Sequence, residues 1–219
     1  HELRKKMVYD IEHGIPGWDN FVEFAGLNQI FVTSVKTKKN EDAVGLSLTQ
    51  LGELRGKDPY EATFDLLLEE ENAVGMVDFY GKEEHVKLFM KRPEMNACTD
   101  GLLGGKPHPR VFGAFPRILG KYVREENTFS LEDAIYKMTK KPATTFNIVN
   151  RGELREGNFA DITIFNPETI IDKGTYTDPV QYPEGIEYVM INGKLTVAEG
   201  RHTSNRSGVV LRKKGTDVR

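Results

Sequence analysis

Cysteine is almost missing from this sequence: Cys98 is the single one in 219 residues. One thiol cannot form a disulfide within the chain, which excludes a disulfide-stapled scaffold. Long apolar runs are missing too. None approaches the ~18 residues of a membrane span, and the opening HELRKK has no signal-peptide core. Neither sign of charge dominates, with 30 Lys+Arg against 33 Asp+Glu and a formal charge of -3. That balance argues against bulk nucleic-acid binding. No membrane or nucleic-acid partner is expected, and the cytoplasm is the expected compartment. The chain carries no G-x-S-x-G elbow, no P-loop and no G-x-G-x-x-G opening a helix after a strand. Its five His form no His-x-His or His-x-x-x-His, and Cys98 has no His partner in sequence. A metal site built from this chain alone is therefore not expected.

What remains is a globular composition, 38 % hydrophobic, enough for a core and too much for a disordered chain. The length falls short of the ~250 residues of a complete (β/α)8 barrel, so it allows one ordinary domain or part of a larger one. The chain starts at His1 instead of Met, which fits a tag remnant or an absent beginning.

The chain changes character near residue 148. Before it, strand and helix signals alternate. Residues 28–35 (NQIFVTSV) predict a buried strand and 47–55 a helix with Leu48, Leu51 and Leu54 in phase. Asp58-Pro59-Tyr60-Glu61 is a strong helix start, Asp at the N-cap and Pro at N1. That helix should run 59–71 with Ala62, Leu66 and Leu67 inward. A strand over 73–79 and a helix over 82–92 follow, the latter with Val86, Phe89 and Met90 on one face. A short strand over 95–98 would then bury Cys98 as a small hydrophobe. This alternation predicts βαβ units with parallel strands. Residues 101–114 read as a Gly/Pro-rich loop and 115–125 as a helix. Ser130 caps a further helix bearing Leu131, Ala134, Ile135 and Met138, and 142–148 reads as a short one after Pro142. Beyond residue 148 strands dominate: 159–165, then a hairpin over 187–198 turning at Asn192-Gly193. The tail GTDVR reads as frayed.

Asp100 is the first candidate for chemistry, since it ends a predicted parallel strand, the edge where α/β barrels place catalytic residues. Thr99-Asp100-Gly101 is equally a good turn sequence. His108 and Arg110 lie in Lys106-Pro107-His108-Pro109-Arg110, where the prolines stiffen the loop. Arg110 offers a planar fork suited to a carboxylate, or an ion pair that tethers the loop. His13, His85 and His202 are isolated, with His85 expected to face solvent. Trp18 reads as core or rim.

Taken together, these motifs resemble the C-terminal part of the N-acyl-D-amino-acid deacylases (D-aminoacylases) of the amidohydrolase superfamily. The elements that carry it run from Gly17-Trp18-Asp19-Asn20 to the end. They include RGKDPYEATFDLLLEE, the strand-end TDG, GGKPHPRVFGAFPRILGKYVRE, SLEDAIYKMTKKPA, RGELREGNFADITIFNPETI and DPVQYPEGIEYVMINGKLTVAEGRHTSNRSGVVLR. The resemblance implies an α/β fold: the C-terminal part of a metal-dependent (β/α)8 barrel over 1–147, then strands of a small β-sandwich over 148–219. Residues 41–92 would contain a helical insert over the site. It implies hydrolysis of N-acyl-D-amino acids, with Asp100 as the general base and acid. Arg110 and His108 would be the substrate-binding residues, Arg110 gripping the substrate α-carboxylate and His108 supporting it from behind or shaping the loop. The family holds zinc with His residues and a Cys on earlier strands, and those positions are not in this chain. Zinc is thus expected in the intact enzyme with ligands from an N-terminal part. The 219 residues alone are expected to be incomplete and inactive. An N-terminal partner chain or a homo-oligomer are the partners this allows. Two other readings stand beside it: ring opening of cyclic amides, as in hydantoinases and dihydroorotases, and an inactive fragment or binding module.

Overall fold

A computed structural model of the chain describes residues 2–104 and 107–212. Gly105 and Lys106 of the expected loop, and the tail GTDVR, lie outside the described residues. The chain divides into two compact units. The first takes in residues 2–82 with 103, 104, 107 and 108; the second takes in 83–102 and 109–212.

The first unit opens with α1 (Glu2–His13) and α2 (Phe21–Ala25), followed by β1 (Ile30–Ser34), α3 (Leu48–Arg55), α4 (Pro59–Glu69) and β2 (Gly75–Asp78). The helix starts follow the sequence signals. Ser47 and Gln50 form a reciprocal capping box on α3. The Asp58 carboxylate accepts from the Tyr60 and Glu61 amides at 2.9 and 3.4 Å and so caps α4. Val32, Ala43, Leu51, Ala62 and Leu66 make the core. Beside it lies a buried carboxylate that periodicity does not reveal. Glu70 accepts from the Thr37 amide at 2.7 Å, the Thr37 hydroxyl at 2.5 Å and the Asn40 side chain at 2.6 Å. Those bonds, led by the Thr37 hydroxyl, outweigh burial and hold its carboxyl down to about 2. They fasten the 37–43 segment to the end of α4.

The expectation of parallel strands is wrong for this pair. β1 and β2 run antiparallel, with Ile30 opposite Asp78 and Val32 opposite Met76. Alternating hydrophobicity places a strand in a sheet without giving its direction, and two intervening helices are long enough to return the chain either way.

The second unit holds α5 (Glu83–Lys91), α6 (Arg110–Arg117), a π-helix (Ile118–Glu125), α7 (Leu131–Met138) and α8 (Lys140–Thr145). Then comes an antiparallel sheet of β3 (Ile162–Phe165), β4 (Ile186–Ile191), β5 (Lys194–Ala198) and β6 (Arg201–His202) in that order. Ala97, Ile118, Leu119, Tyr122, Ala134 and Ile170 form its core. Pro116 has no N–H to continue the helical ladder, and two residues later the chain widens into the π-helix. Gly120 lets that helix approach the 170–171 backbone; a Cβ there would collide with the Ile170 carbonyl oxygen. The hairpin forms as read. Asn192 and Gly193 have φ of 52° and 75°, the positive values that a two-residue primed turn requires.

Several details differ from the sequence reading, and the helix expected over 115–125 already starts at Arg110, inside the expected loop. Residues 95–98 form no strand; the Ala97 amide donates instead to the Lys137 carbonyl on α7, at 3.0 Å. Cys98 is exposed, because Ala97 takes the inward position and its neighbour turns out. On α5, Met90 packs on the core while Val86 and Phe89 stay exposed. Helix α8 begins two residues before Pro142, which places that proline in its first turn, where a missing N–H is harmless. His85 is exposed as expected, and Trp18 is 48 % exposed and so not a core residue.

Candidate active site

Asp100 and Arg110 come together in the second unit although nine residues separate them. The Arg110 Nε donates to the Asp100 carbonyl oxygen at 2.8 Å. Its Nη2 stands 2.7 Å from Asp100 Oδ2. One guanidinium therefore holds both the main chain and the side chain of the same aspartate, a geometry that the flat fork of Arg permits and a point-charge ammonium does not.

The turn that carries Asp100 is tightly defined. Asp100 has φ of +45°, the left-handed region that a non-glycine residue adopts when its surroundings hold it there. The Gly101 amide donates to Thr99 Oγ1 at 3.3 Å. Gly101 also lies against the first turn of α6, where a Cβ would meet Val111 Cα at 3.1 Å. Because 95–98 is not a strand, Asp100 stands at a turn braced by a helix instead of at a strand end. Its side chain is 77 % exposed, against 40 % for Arg110. His108 is half-buried and belongs to the first unit.

The rest of α6 ties this turn to the chain's final third. Phe112 meets Tyr182 edge to face, with ring centroids 6.0 Å apart. Arg117 pairs with Asp172 at 3.1 Å. Phe112 and Tyr182, from two stretches that stood apart in sequence, are thus brought together. Farther along the π-helix, Tyr122 donates to Glu83 Oε1 at 2.7 Å, and Lys121 reaches the same oxygen. Burial first, then Glu83, push the Tyr122 hydroxyl up to about 12. Lys121 and then Tyr122 hold the Glu83 carboxyl below its usual range. Sequence reasoning missed Tyr182 as a neighbour of the site; the aromatic pair on two quoted motifs was the available signal.

Among the described residues no group of three or more His, Cys, Asp or Glu could hold a metal ion. Asp100 has a guanidinium as its close charged neighbour, which is a poor setting for a divalent cation. The residues present do not fit a catalytic zinc by themselves.

Comparison with known proteins gives the family. The chain has an α/β amidohydrolase-like fold of mixed helices and sheets. The model of the amidohydrolase family matches residues 59–197, and the chain belongs to that family. A D-aminoacylase of Alcaligenes xylosoxydans xylosoxydans is 34 % identical over 168 residues, which is 76 % of this chain and 34 % of that protein. The crystal structure of N-acyl-D-glutamate deacylase from Bordetella bronchiseptica, complexed with zinc and a phosphonate inhibitor, superposes with a TM-score of 0.72 at 32 % identity. It covers 80 % of this chain and 37 % of that one. A crystal structure of D-aminoacylase gives a TM-score of 0.77 at 28 % identity, over 96 % of this chain and 46 % of that one. The chain therefore spans less than half the length of each of these relatives.

Proposed function

We propose that this chain is the C-terminal portion of a metal-dependent amidohydrolase that hydrolyses N-acyl-D-amino acids to a carboxylate and a D-amino acid. The observation that carries this reading is the Asp100–Arg110 pair: a carboxylate fixed in a strained turn beside a carboxylate-binding fork. D-aminoacylase likeness on both sides of that turn supports it. In the same reading, residues 1–147 complete a barrel and 148–219 a β-sandwich only with the rest of such an enzyme. Zinc belongs to that larger assembly, held by residues outside this chain. The enzyme works in the cytoplasm, and an N-terminal portion or partner chain completes it.

The chain's own residues then have definite tasks. Water adds to the acyl carbon, and the Asp100 carboxylate takes one of its protons. The C–N bond breaks, and Asp100 returns that proton to the leaving nitrogen. Arg110 holds the substrate α-carboxylate in its fork and sets the amide beside Asp100. His108 shapes the loop that precedes α6.

The test is a substrate comparison in the protein extended upstream of His1 and supplied with zinc. N-acyl-D-amino acids should be hydrolysed and cyclic ureides such as hydantoin and dihydroorotate left intact. Ring opening without deacylation would replace this reading with the cyclic-amide one. The 219-residue chain alone should turn over neither.

A further inference from the structure

Asp172 is a buried acid that no step of the proposed reaction uses. Its side chain is 7 % exposed, and Arg117 Nη1 stands 3.1 Å from its Oδ2. The same side chain lies against Gly113, where a Cβ would stand 2.6 Å from Asp172 Cβ. Asp172 thus meets α6 twice, at a bare backbone position and at a charged one. Arg110, Gly113 and Arg117 fall at i, i+3 and i+7, which puts all three on one face of the helix. The acid therefore seats the face that carries Arg110, beginning one turn away from it.

The contact continues into the π-helix. Gly120 admits the 170–171 backbone, and Arg124 donates to the Ile170 and Pro167 carbonyls at 2.5 and 3.2 Å. Positions 113, 117, 120 and 124 thus receive one segment, glycines where it comes close and arginines where it is clipped. That segment has its own anchor. Ile171 and Glu184 exchange main-chain hydrogen bonds of 3.3 and 3.0 Å, and Ile170 is 1 % exposed. Asp172 is therefore fixed from outside α6, and every contact named lies within the second unit. A half-buried ion pair contributes little net stability, because desolvation offsets the attraction. What it supplies is register: a carboxylate that must meet one guanidinium stops the helix from sliding or turning on its seat.

We propose that Asp172 is a positioning residue for the hydrolysis: by seating Gly113 and holding Arg117 it sets the register of α6, and through Arg110 the place of Asp100. The inference rests on the deacylase reading and deepens it with a residue that touches neither substrate nor reacting atoms. Arg110 binds both the carbonyl and the carboxylate of Asp100, so the two travel with the helix as one body. A slip of α6 leaves the substrate carboxylate in the fork and carries Asp100 off the line of the amide. The loss then falls on kcat and not on KM.

Two variants test it. Asp172→Asn keeps the size of the side chain and removes its charge. Arg117→Gln removes the other half of the pair from an exposed helix position where Gln is a good helix former, so it decides the matter if Asp172→Asn does not fold. In the 219-residue chain each should shift the Arg110 Nε–H resonance, read by NMR. In the zinc-supplied protein extended upstream of His1, each should lower kcat on N-acetyl-D-amino acids by about 10–100-fold, the cost of misplacing a reacting group by about 1 Å. KM and bound zinc should change little. The double variant should be no slower than the slower single one, because both break the same clip. A pair that only stabilises the fold predicts a lower melting temperature, an unmoved Arg110 resonance and a normal kcat per bound zinc. That result overturns the proposal, as does a double variant slowed by the product of the two single losses. If both variants keep a normal kcat while Asp100→Asn loses it, the positioning role fails and the deacylase reading stands. If the Arg110 resonance moves but the unsubstituted extended protein hydrolyses no N-acyl-D-amino acid, Asp172 still sets the register of α6 and the deacylase reading fails.

Discussion

The Ala97 amide donates to the Lys137 carbonyl oxygen at 3.0 Å, and this bond decides how Asp100 is presented. It ties the segment before the aspartate to helix α7, leaves no strand at 95–98, and turns Cys98 outward. The same lysine is buried, with its Nζ donating to the Met90 carbonyl and lying 5.2 Å from the centre of the Phe129 ring. Lys137 thus joins α5, α7 and the approach to the site.

Removing that ammonium should loosen all three. Lys137→Met leaves the Met90 carbonyl without its charged donor and should destabilise the second unit by about 1–3 kcal/mol. Urea unfolding measures the loss. Hydrogen exchange at the Ala97 amide should accelerate in parallel, whereas unchanged protection there would separate Lys137 from the presentation of Asp100.

Glu70 should make the first unit acid-sensitive. Its carboxyl is held at about 2 in the folded chain, against ~4.3 for a free Glu. A depressed folded value stabilises above the unfolded pKa and loses that stabilisation as pH falls through the folded one. Glu70→Gln should melt several degrees below the parent chain at pH 7. The gap should shrink from about pH 4.5 downward and close near pH 2. A gap that stays constant from pH 7 to pH 2 would contradict the ionised network.

Gly101 has no room for a side chain, since a Cβ would stand 3.1 Å from Val111 Cα and 3.2 Å from Val111 Cγ2. Gly101→Ala should therefore push the turn away from α6 at a cost of about 1–3 kcal/mol. Asp100 and Arg110 should separate, seen as a shift of the Arg110 Nε–H resonance. Val111→Ala relieves one of the two contacts, so the double variant should recover part of the loss. Strict additivity would place the strain elsewhere.

Asn192 does more than turn a hairpin. Its side chain accepts from Arg151 at 2.5 Å and donates to the Ser207 carbonyl at 2.6 Å, while its amide donates to Asp161 at 2.8 Å. Asn192→Gly keeps the positive φ but removes both side-chain bonds. It should leave the β4–β5 pairing intact, destabilise the chain by about 1–2 kcal/mol, and increase exchange around Ser207. Loss of the hairpin itself would mean that the side chain, and not the turn geometry, sets the register.

Local signals were readable in the sequence where the physics is local. Asp58 and Ser130 each cap the helix that their spacing predicts. Asn192-Gly193 turns where the dipeptide says it must. Ala62, Leu66, Ala134 and Ile135 face inward as their periodicity requires. Helix α1 escaped because its apolar residues, such as Leu3, Met7 and Ile11, are interrupted by charges and none of its residues is buried; it is fastened by Arg4, which pairs with Glu61 and Asp65 at 2.6 and 2.8 Å. Strand direction, the fate of 95–98, and the buried Glu70 and Lys137 depend on contacts between distant segments, which spacing does not encode. At the site, Asp100 and Arg110 were both legible as residue types with a shared chemistry. Their two-pronged contact was not, because it depends on a φ of +45° at Asp100 that nothing in Thr-Asp-Gly dictates.

The central claim is that Asp100 moves the proton in hydrolysis of N-acyl-D-amino acids. The most direct measurement is the steady-state rate on N-acetyl-D-amino acids of the zinc-supplied protein extended upstream of His1, compared between Asp100 and Asp100→Asn. The account predicts that kcat falls at least about 100-fold while bound zinc, measured by elemental analysis, stays the same. A variant that keeps a near-normal kcat with its zinc in place would contradict it.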